Sequence, residues 1–436
     1  MMKSILSILG AVALSLVVSI VIFPASTVMA QGTIYVPDNY ATIQEAINAA
    51  SPGDTVYVRS GTGTYNENLS ISKSLTLTGE DRDTTNITAQ NPFLPAISIT
   101  GQSNVTISNL TIRNDGIDGI YISACNNISL INNNIYSEYH EGVYIINSSG
   151  INLVDNNVQS NGTSGFANGV WIGGSSYQSG FNLAGNNIHN SRIGMNIACL
   201  LNSTISNNTI SNNTLHGISL SLSNGNTITG NTISNNSRAG IFIVSSSNNK
   251  VYNNNFINNL TWQAYMSGGQ NNVFNLAKPI GGNYWSNWTT PDSDGDGFVD
   301  KPYVFAGGRD NLPWTKQDGW KKIEATVDIE PDTLNLNSKG KWITCYIELE
   351  ESYDVADIDV STIKLNGTVP AEEKSAEIGD YDEDNIPDRM VKFDRTSVQE
   401  IVEVGDEVDI VITGELTDGT SFEGTDIIRV IDKSND

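Results

Sequence analysis

The chain is poor in cysteine, histidine and positive charge: 436 residues hold three Cys, three His and 23 Lys plus Arg. Cys125, Cys199 and Cys345 do not make a disulfide framework, which needs even numbers at close spacing. The 23 basic residues face 48 acidic ones, and a formal charge of −25 argues against nucleic acid or an anionic membrane as partner. The imbalance is uneven. Residues 321–436 carry 30 of the 48 acids and 11 of the 23 bases, and so −19 of the −25. Two regions of different chemistry follow from that. Past residue 30 there is no apolar run long enough to span a membrane.

The first thirty residues are of another kind. Lys3, an apolar run from Ile5 to Phe23, Pro24 and a small-residue stretch ending at Ala30 have the layout of a cleaved signal peptide. An uncleaved anchor is the alternative, because the run is nearly long enough to cross. With no cysteine after Ala30, a lipoprotein anchor is not expected. The mature chain is expected to be secreted or on the cell surface.

Self-similarity dominates the middle. A pattern of alternating apolar residues, an Asn/Gly-Asn pair and a closing apolar residue recurs at Ile112, Ile135, Val158, Ile188, Ile210, Ile233 and Phe256. A glycine followed by alternating apolar residues keeps the same beat at Gly119, Gly142, Gly169, Gly194, Gly217 and Gly240. Strand-like alternation on a period of about 23 predicts a right-handed parallel β-helix, an all-β fold in which each strand stacks on the next coil. Leucine-rich repeats share the period but need leucines at fixed places, which are missing here.

The register assigns faces. Two places before the closing residues stand Asn133, Asn156, Asn186, Asn208, Asn231 and Asn254, with Leu110 in the first coil. Buried asparagines at about 4.8 Å spacing can pair with one another as a ladder. The seven-residue insertion between Val158 and Ile188 should protrude near Phe166–Ser179. Cys125 and Cys199 fall three coils apart, roughly twice the separation a disulfide permits at about 4.8 Å per coil, and read as small core residues.

An open β-helix needs its ends covered. The stretch Tyr40–Ala50 predicts an amphipathic capping helix with Ile43, Ala46, Ile47 and Ala50 on one face. Strands are expected at Thr55–Val58 and Leu75–Thr78. Trp262, Tyr265, Tyr284, Trp285, Trp288 and Trp314 read as an aromatic plug at the far end. From Ile323 the beat is lost, and short strands such as Trp342–Leu349, Val391–Asp394 and Val408–Thr413 predict a smaller Ig-like β-sandwich. The expected division is a signal peptide at 1–30, a capped β-helix at 31–275, an aromatic cap with a calcium-type loop at 276–320, and an acidic sandwich at 321–436.

Two acidic loops have the spacing of a calcium site. Asp292, Asp294, Asp296 and Asp300 stand at positions 1, 3, 5 and 9, with the Phe298 carbonyl at 7. Asp380, Asp382, Asp384, the Ile386 carbonyl and Asp388 repeat the arrangement. Calcium takes several oxygens at about 2.3–2.6 Å, and alternating aspartates on a tight turn converge them. Neither loop has the closing Glu of an EF-hand, so a structural Ca2+ is expected, with further oxygens from elsewhere. On the β-helix, the residue pointing outward from each Gly-initiated strand reads Tyr121, Tyr144, Trp171, Asn196, Ser219, Phe242. Three adjacent aromatics predict a flat strip for stacking sugar rings. Beside it Asp115 and Asp118 are followed 23 residues later by Glu138 and Glu141, with His140 next to them. Stacked like charges should raise a carboxyl pKa, which suits a general acid or a lyase base.

With Thr42-Ile-Gln-Glu-Ala-Ile47, Pro52-Gly-Asp-Thr-Val56, Tyr65-Asn-Glu-Asn-Leu69 and the Asn-Asn-x-Ile coils in hand, residues 33 to about 315 resemble the NosD-like, pectin-lyase-like β-helix proteins, including carbohydrate-binding and sugar-hydrolase (CASH) domains. The tail from Ile329 resembles an accessory domain of secreted archaeal and bacterial proteins. The resemblance implies the fold and a mixture of sugar-active enzymes, binding proteins and accessory factors. It also implies a role beside copper enzymes. Against that, His140, His189, His216, three methionines and three cysteines of the mature chain show no clustered spacing. The expected function is a cell-surface protein presenting a face to a polysaccharide or another envelope component. A polysaccharide hydrolase or lyase and a structural envelope component are the alternatives.

Overall fold

The computed structural model describes residues 31–61, 63–162, 166–350 and 353–433; the expected signal peptide lies outside the described residues. Alternating apolar residues on a 23-residue beat can bury one face only if each coil lies on the last. The chain forms three parallel sheets of ten, nine and ten strands, each taking its strands from successive coils. In the nine-stranded sheet Ile120, Val143, Val170, Met195, Ile218, Ile241 and Ala264 lie in one register row. All are buried, and they join the closing residues in a single core running the length of the solenoid.

The asparagine ladder forms as the register requires. Asn208 Nδ2 donates to Asn231 Oδ1 at 2.8 Å, and that same oxygen accepts the Asn208 backbone N–H at 2.9 Å. The pattern runs through Asn133, Asn156, Asn186, Asn208, Asn231, Asn254 and Asn283. The residue before each of the first six rungs is Asn132, Asp155, Gly185, Asn207, Gly230 or Asn253, all with φ between 54° and 70°. Only residues tolerant of the left-handed region fit that corner. Two further ladders were not foreseen, Asn213–Asn236–Asn259 and Asn226–Asn249–Asn272.

Some local expectations change. The seven extra residues do not form one loop. The outward row steps 27 residues from Tyr144 to Trp171 and 25 from Trp171 to Asn196, so the insertion is split between two corners of the coil. The second piece gives the exposed turn Ser175–Tyr177. Cys199 is not a core residue: it is half-buried at a corner with φ 58°, while Cys125 is buried as expected.

At the N-terminal end a helix forms over Ile43–Ala49, with Thr42 and Glu45 closing a capping box and Ile43, Ala46 and Ile47 buried. At the other end the main ladder meets a carboxylate. Asp310 is fully buried and accepts from the Asn283 backbone N–H at 2.7 Å and Trp285 Nε1 at 2.9 Å. Trp285 stacks on Phe256 and Tyr303 at 4.5 and 4.3 Å between ring centroids. Trp262 and Tyr265 are not part of this plug: Tyr265 continues the outward row, and Trp262 lies in the column of His216 and Ala239. Beyond it, nine strands of mixed direction share a second core, with Lys322–Glu330 parallel to Ser421–Ile431 and antiparallel to Trp342–Leu349.

Truncating a rung orphans its neighbours. In Asn208→Ala the Asn186 N–H loses its partner and the Leu183 carbonyl loses its side-chain donor. At about 1–3 kcal/mol per buried unpaired group, urea denaturation should read a loss of roughly 2–6 kcal/mol, against little change for the exposed Thr214→Ala.

Candidate functional site

The outward row and the corner preceding it define one long face of the nine-stranded sheet. Tyr121, Tyr144 and Trp171 lie in register on three successive coils, each half-buried. Their ring centroids are 5.5 and 4.7 Å apart, with planes at 63° and 75°. The rings therefore meet edge to face and make a ridged surface, where a flat strip was expected, because each side chain tilts into the space left by its neighbour.

Three residues upstream of this row, Asp118 and Glu141 stack on adjacent coils, 5% and 4% exposed. Asp118 Oδ1 accepts the Glu141 backbone N–H at 3.3 Å. His140 Nδ1 stands 3.7 Å from Asp118 and 3.5 Å from Glu141, with its ring partly in solvent. Burial, followed by the neighbouring Asp118 charge, raises the Glu141 carboxyl to about 8, and burial raises Asp118 as well. The pair therefore holds a proton at neutral pH. Burial and then the Glu141 charge raise the Tyr144 phenol too, so the acid pair and the aromatic row share one electrostatic environment.

The other two expected carboxylates do not join. Asp115 turns to Arg113 at 2.7 Å on the surface, and Glu138 is half-buried outside the cluster. The register supplies a residue that the plain 23-residue beat misses. Asn168 sits above Glu141, 27 positions on, and its Nδ2 donates to Glu141 Oε1 at 3.2 Å. Among the described residues its Oδ1 has no hydrogen-bond partner and is buried beside the pair.

The first acidic loop brings carboxylate oxygens of Asp292, Asp294 and Asp300 within 4.8 Å of one another. Asp296 does not join them, because it is ion-paired with Lys278. Phe298 is buried against Trp314. In the second loop Asp380, Asp382 and Asp388 converge, while Asp384 groups with Asp382 and Glu348. Glu348 comes from the neighbouring strand Trp342–Leu349, and no loop spacing could have indicated it. Burial raises Glu348 and Asp388, and the surrounding aspartates raise both further. Among the described residues no helix is long and apolar enough to cross a membrane.

Residues 47–290, more than half of the chain, match the family described as "Periplasmic copper-binding protein (NosD)". No curated protein matches the chain. Among solved structures it is similar to the periplasmic alginate epimerase AlgG at 17% identity and TM-score 0.30, covering 62% of this chain and 76% of that one. It is also similar to the Dettilon tailspike protein at 14% identity and TM-score 0.40, covering 83% and 94%. An alginate lyase from Paenibacillus sp. str. FPU-7 gives 14% identity and TM-score 0.31, covering 58% and 97%.

The raised carboxyl pKa has a stability consequence. Glu141 titrates near 4.5 when unfolded and about 8 when folded, so between those values only the unfolded state gives up its proton. Stability therefore falls as pH rises through that window and levels off above it. Melting curves from pH 5 to 9 should show Glu141→Gln gaining on wild type as pH increases; a constant difference would contradict the assignment.

Proposed function

The chain belongs to the NosD family, and from that premise we propose a glycan-binding β-helix protein acting outside the cytoplasm. The observation that carries this reading is the row of half-buried aromatics on adjacent coils. Tyr121, Tyr144 and Trp171 offer apolar ring edges and faces at about the 4.8 Å coil spacing, with polar groups alongside. Sugar rings have the same mixture, an apolar C–H face bordered by hydroxyls. His140, Glu141 and Asn168 border the row and would take hydroxyl hydrogen bonds.

The family description names copper, and the donors of this chain do not fit a copper site. Among the described residues the three histidines lie on different coils with different surroundings. His189 pairs with Asn157 at 3.0 Å, and His216 is buried against Phe242. Among the described residues His140 alone of the three joins a cluster of three or more His, Cys, Asp or Glu ligands, and its partners there are two hard carboxylates. No step of the proposed function passes through copper.

A second reading has its own observation. A buried acid pair with one carboxyl held protonated at neutral pH beside an aromatic row supports a polysaccharide hydrolase or lyase, with Glu141 as proton donor and Asp118 as its partner. Glycan-array binding decides the main reading: Tyr144→Ala with Trp171→Ala should abolish retention of whatever wild type binds, and equal retention would overturn it. Incubating the bound glycans and finding new reducing ends or unsaturated products, lost in Glu141→Gln, would favour the enzyme.

Calcium is proposed for both acidic loops, where converging carboxylates without enough bases nearby would be relieved by a divalent ion. Melts with calcium and with EDTA should differ by several degrees. Asp382→Asn should reduce that difference, since Asp382 belongs to both groups around the second loop.

A further inference from the structure

Residues 156–291 contain no Asp or Glu, in a chain that has 48 of them. The bases in that stretch are Arg192, Arg238, Lys250 and Lys278, and Lys278 is committed to Asp296. Among the described residues Arg192 and Arg238 form no salt bridge with a carboxylate. They occupy one register column, because the Leu215 N–H donates to the Arg192 carbonyl at 2.8 Å and the Arg238 N–H to the Leu215 carbonyl at 2.7 Å. At about 4.8 Å per coil the two guanidinium-bearing positions are roughly 10 Å apart along the solenoid.

Beside them the outward row turns aromatic again. His216 and Phe242 stack at 4.6 Å and 19°, Phe242 and Tyr265 at 5.0 Å and 10°, and Trp262 joins Tyr265 at 5.0 Å. Arg238 lies over the Trp262 ring at 5.5 Å. The His216, Phe242 and Tyr265 planes are nearly parallel and stack face to face, with Trp262 tilted at 38°, unlike the edge-to-face ridge of Tyr121–Trp171. His216 is 4% exposed, and its Nδ1 is buried without a hydrogen-bond partner. Burial and the two arginines hold it neutral, with a pKa near 4, so both guanidinium charges reach this spot.

We infer that Arg192, Arg238, His216, Phe242, Tyr265 and Trp262 form a second binding site on this sheet, for a sugar carrying a carboxylate or sulfate. The guanidinium forks match either anion in bidentate geometry. The half-buried Phe242, Tyr265 and Trp262 add a band of apolar ring edges beside the arginines, suited to the C–H groups of a pyranose, which an acidic peptide lacks. The acids elsewhere do not cancel the site, since charges beyond about 8 Å are largely screened at physiological salt. The site is separate from Tyr121–Trp171, where the Asp118–Glu141 pair disfavours an anion.

Isothermal titration of the mature chain with a uronate oligosaccharide, a sulfated oligosaccharide and an uncharged one of equal length tests this. One or both anionic sugars should bind more tightly than the uncharged one, and added salt should weaken them selectively; which one binds identifies the anion. Arg192→Gln with Arg238→Gln should weaken that binding about tenfold or more, with the melting temperature unchanged. The exposed Arg238→Gln alone gives the same direction if the double variant folds poorly. Tyr144→Ala with Trp171→Ala should leave anionic binding intact, which separates this site from the first. No preference for the anionic sugars, no effect of the arginine variants, or equal binding of polyglutamate would overturn it.

Discussion

Everything in the solenoid depends on a side-chain amide that accepts from two donors at once. Each ladder oxygen takes both the backbone N–H and the side-chain N–H of the coil before it. This satisfies groups that would otherwise be unpaired inside an apolar core, where each would cost about 1–3 kcal/mol. A slip of one residue would break the bond to the next rung and expose the isoleucines beside it. The amide is thus what holds the period near 23, and the period is what turns separate residues into columns.

Because of those columns, much of the fold was legible in the sequence. The rung asparagines, the closing isoleucines and the outward aromatics could be aligned by counting, since a β-helix puts equal positions above one another. Counting fails where the beat changes. Asn168 sits over Glu141 at a step of 27, and only the structure reveals that the insertion is divided between two corners. It fails again for contacts between elements with no common period, as with Glu348 approaching the second acidic loop and Lys278 diverting Asp296. Stacking of the acid pair on adjacent coils was legible from the register, but its burial and the edge-to-face tilt of the rings were not, because both depend on side-chain packing.

The same face carries opposite electrostatics at its two ends. Asp118 and Glu141 lie at the start of the strands in early coils, and His216 occupies the same column further along. His140, Arg192 and Arg238 share the column before it, at alternate coils with Ala167 and Leu215 between them. Two coils further along, a surface position therefore passes from a proton-holding acid environment to a cationic one, without altering the core beneath. The backbone is repetitive while the chemistry displayed on it is graded along the axis.

The ladder is also directional. From amide to amide, every rung donates toward the C-terminal end and accepts from the N-terminal side, while its Nδ2 also donates back to a carbonyl of the preceding coil, so any rung is complementary to any other. Only the ends are unique: Leu110 brings no side-chain amide, and Asp310 is a pure acceptor. Length is consequently a free variable. Whole coils can be gained or lost in evolution with no orphaned group, moving the two ends of the face apart or together in steps of about 4.8 Å. The fold behaves as a ruler whose graduations are interchangeable and whose stops are not.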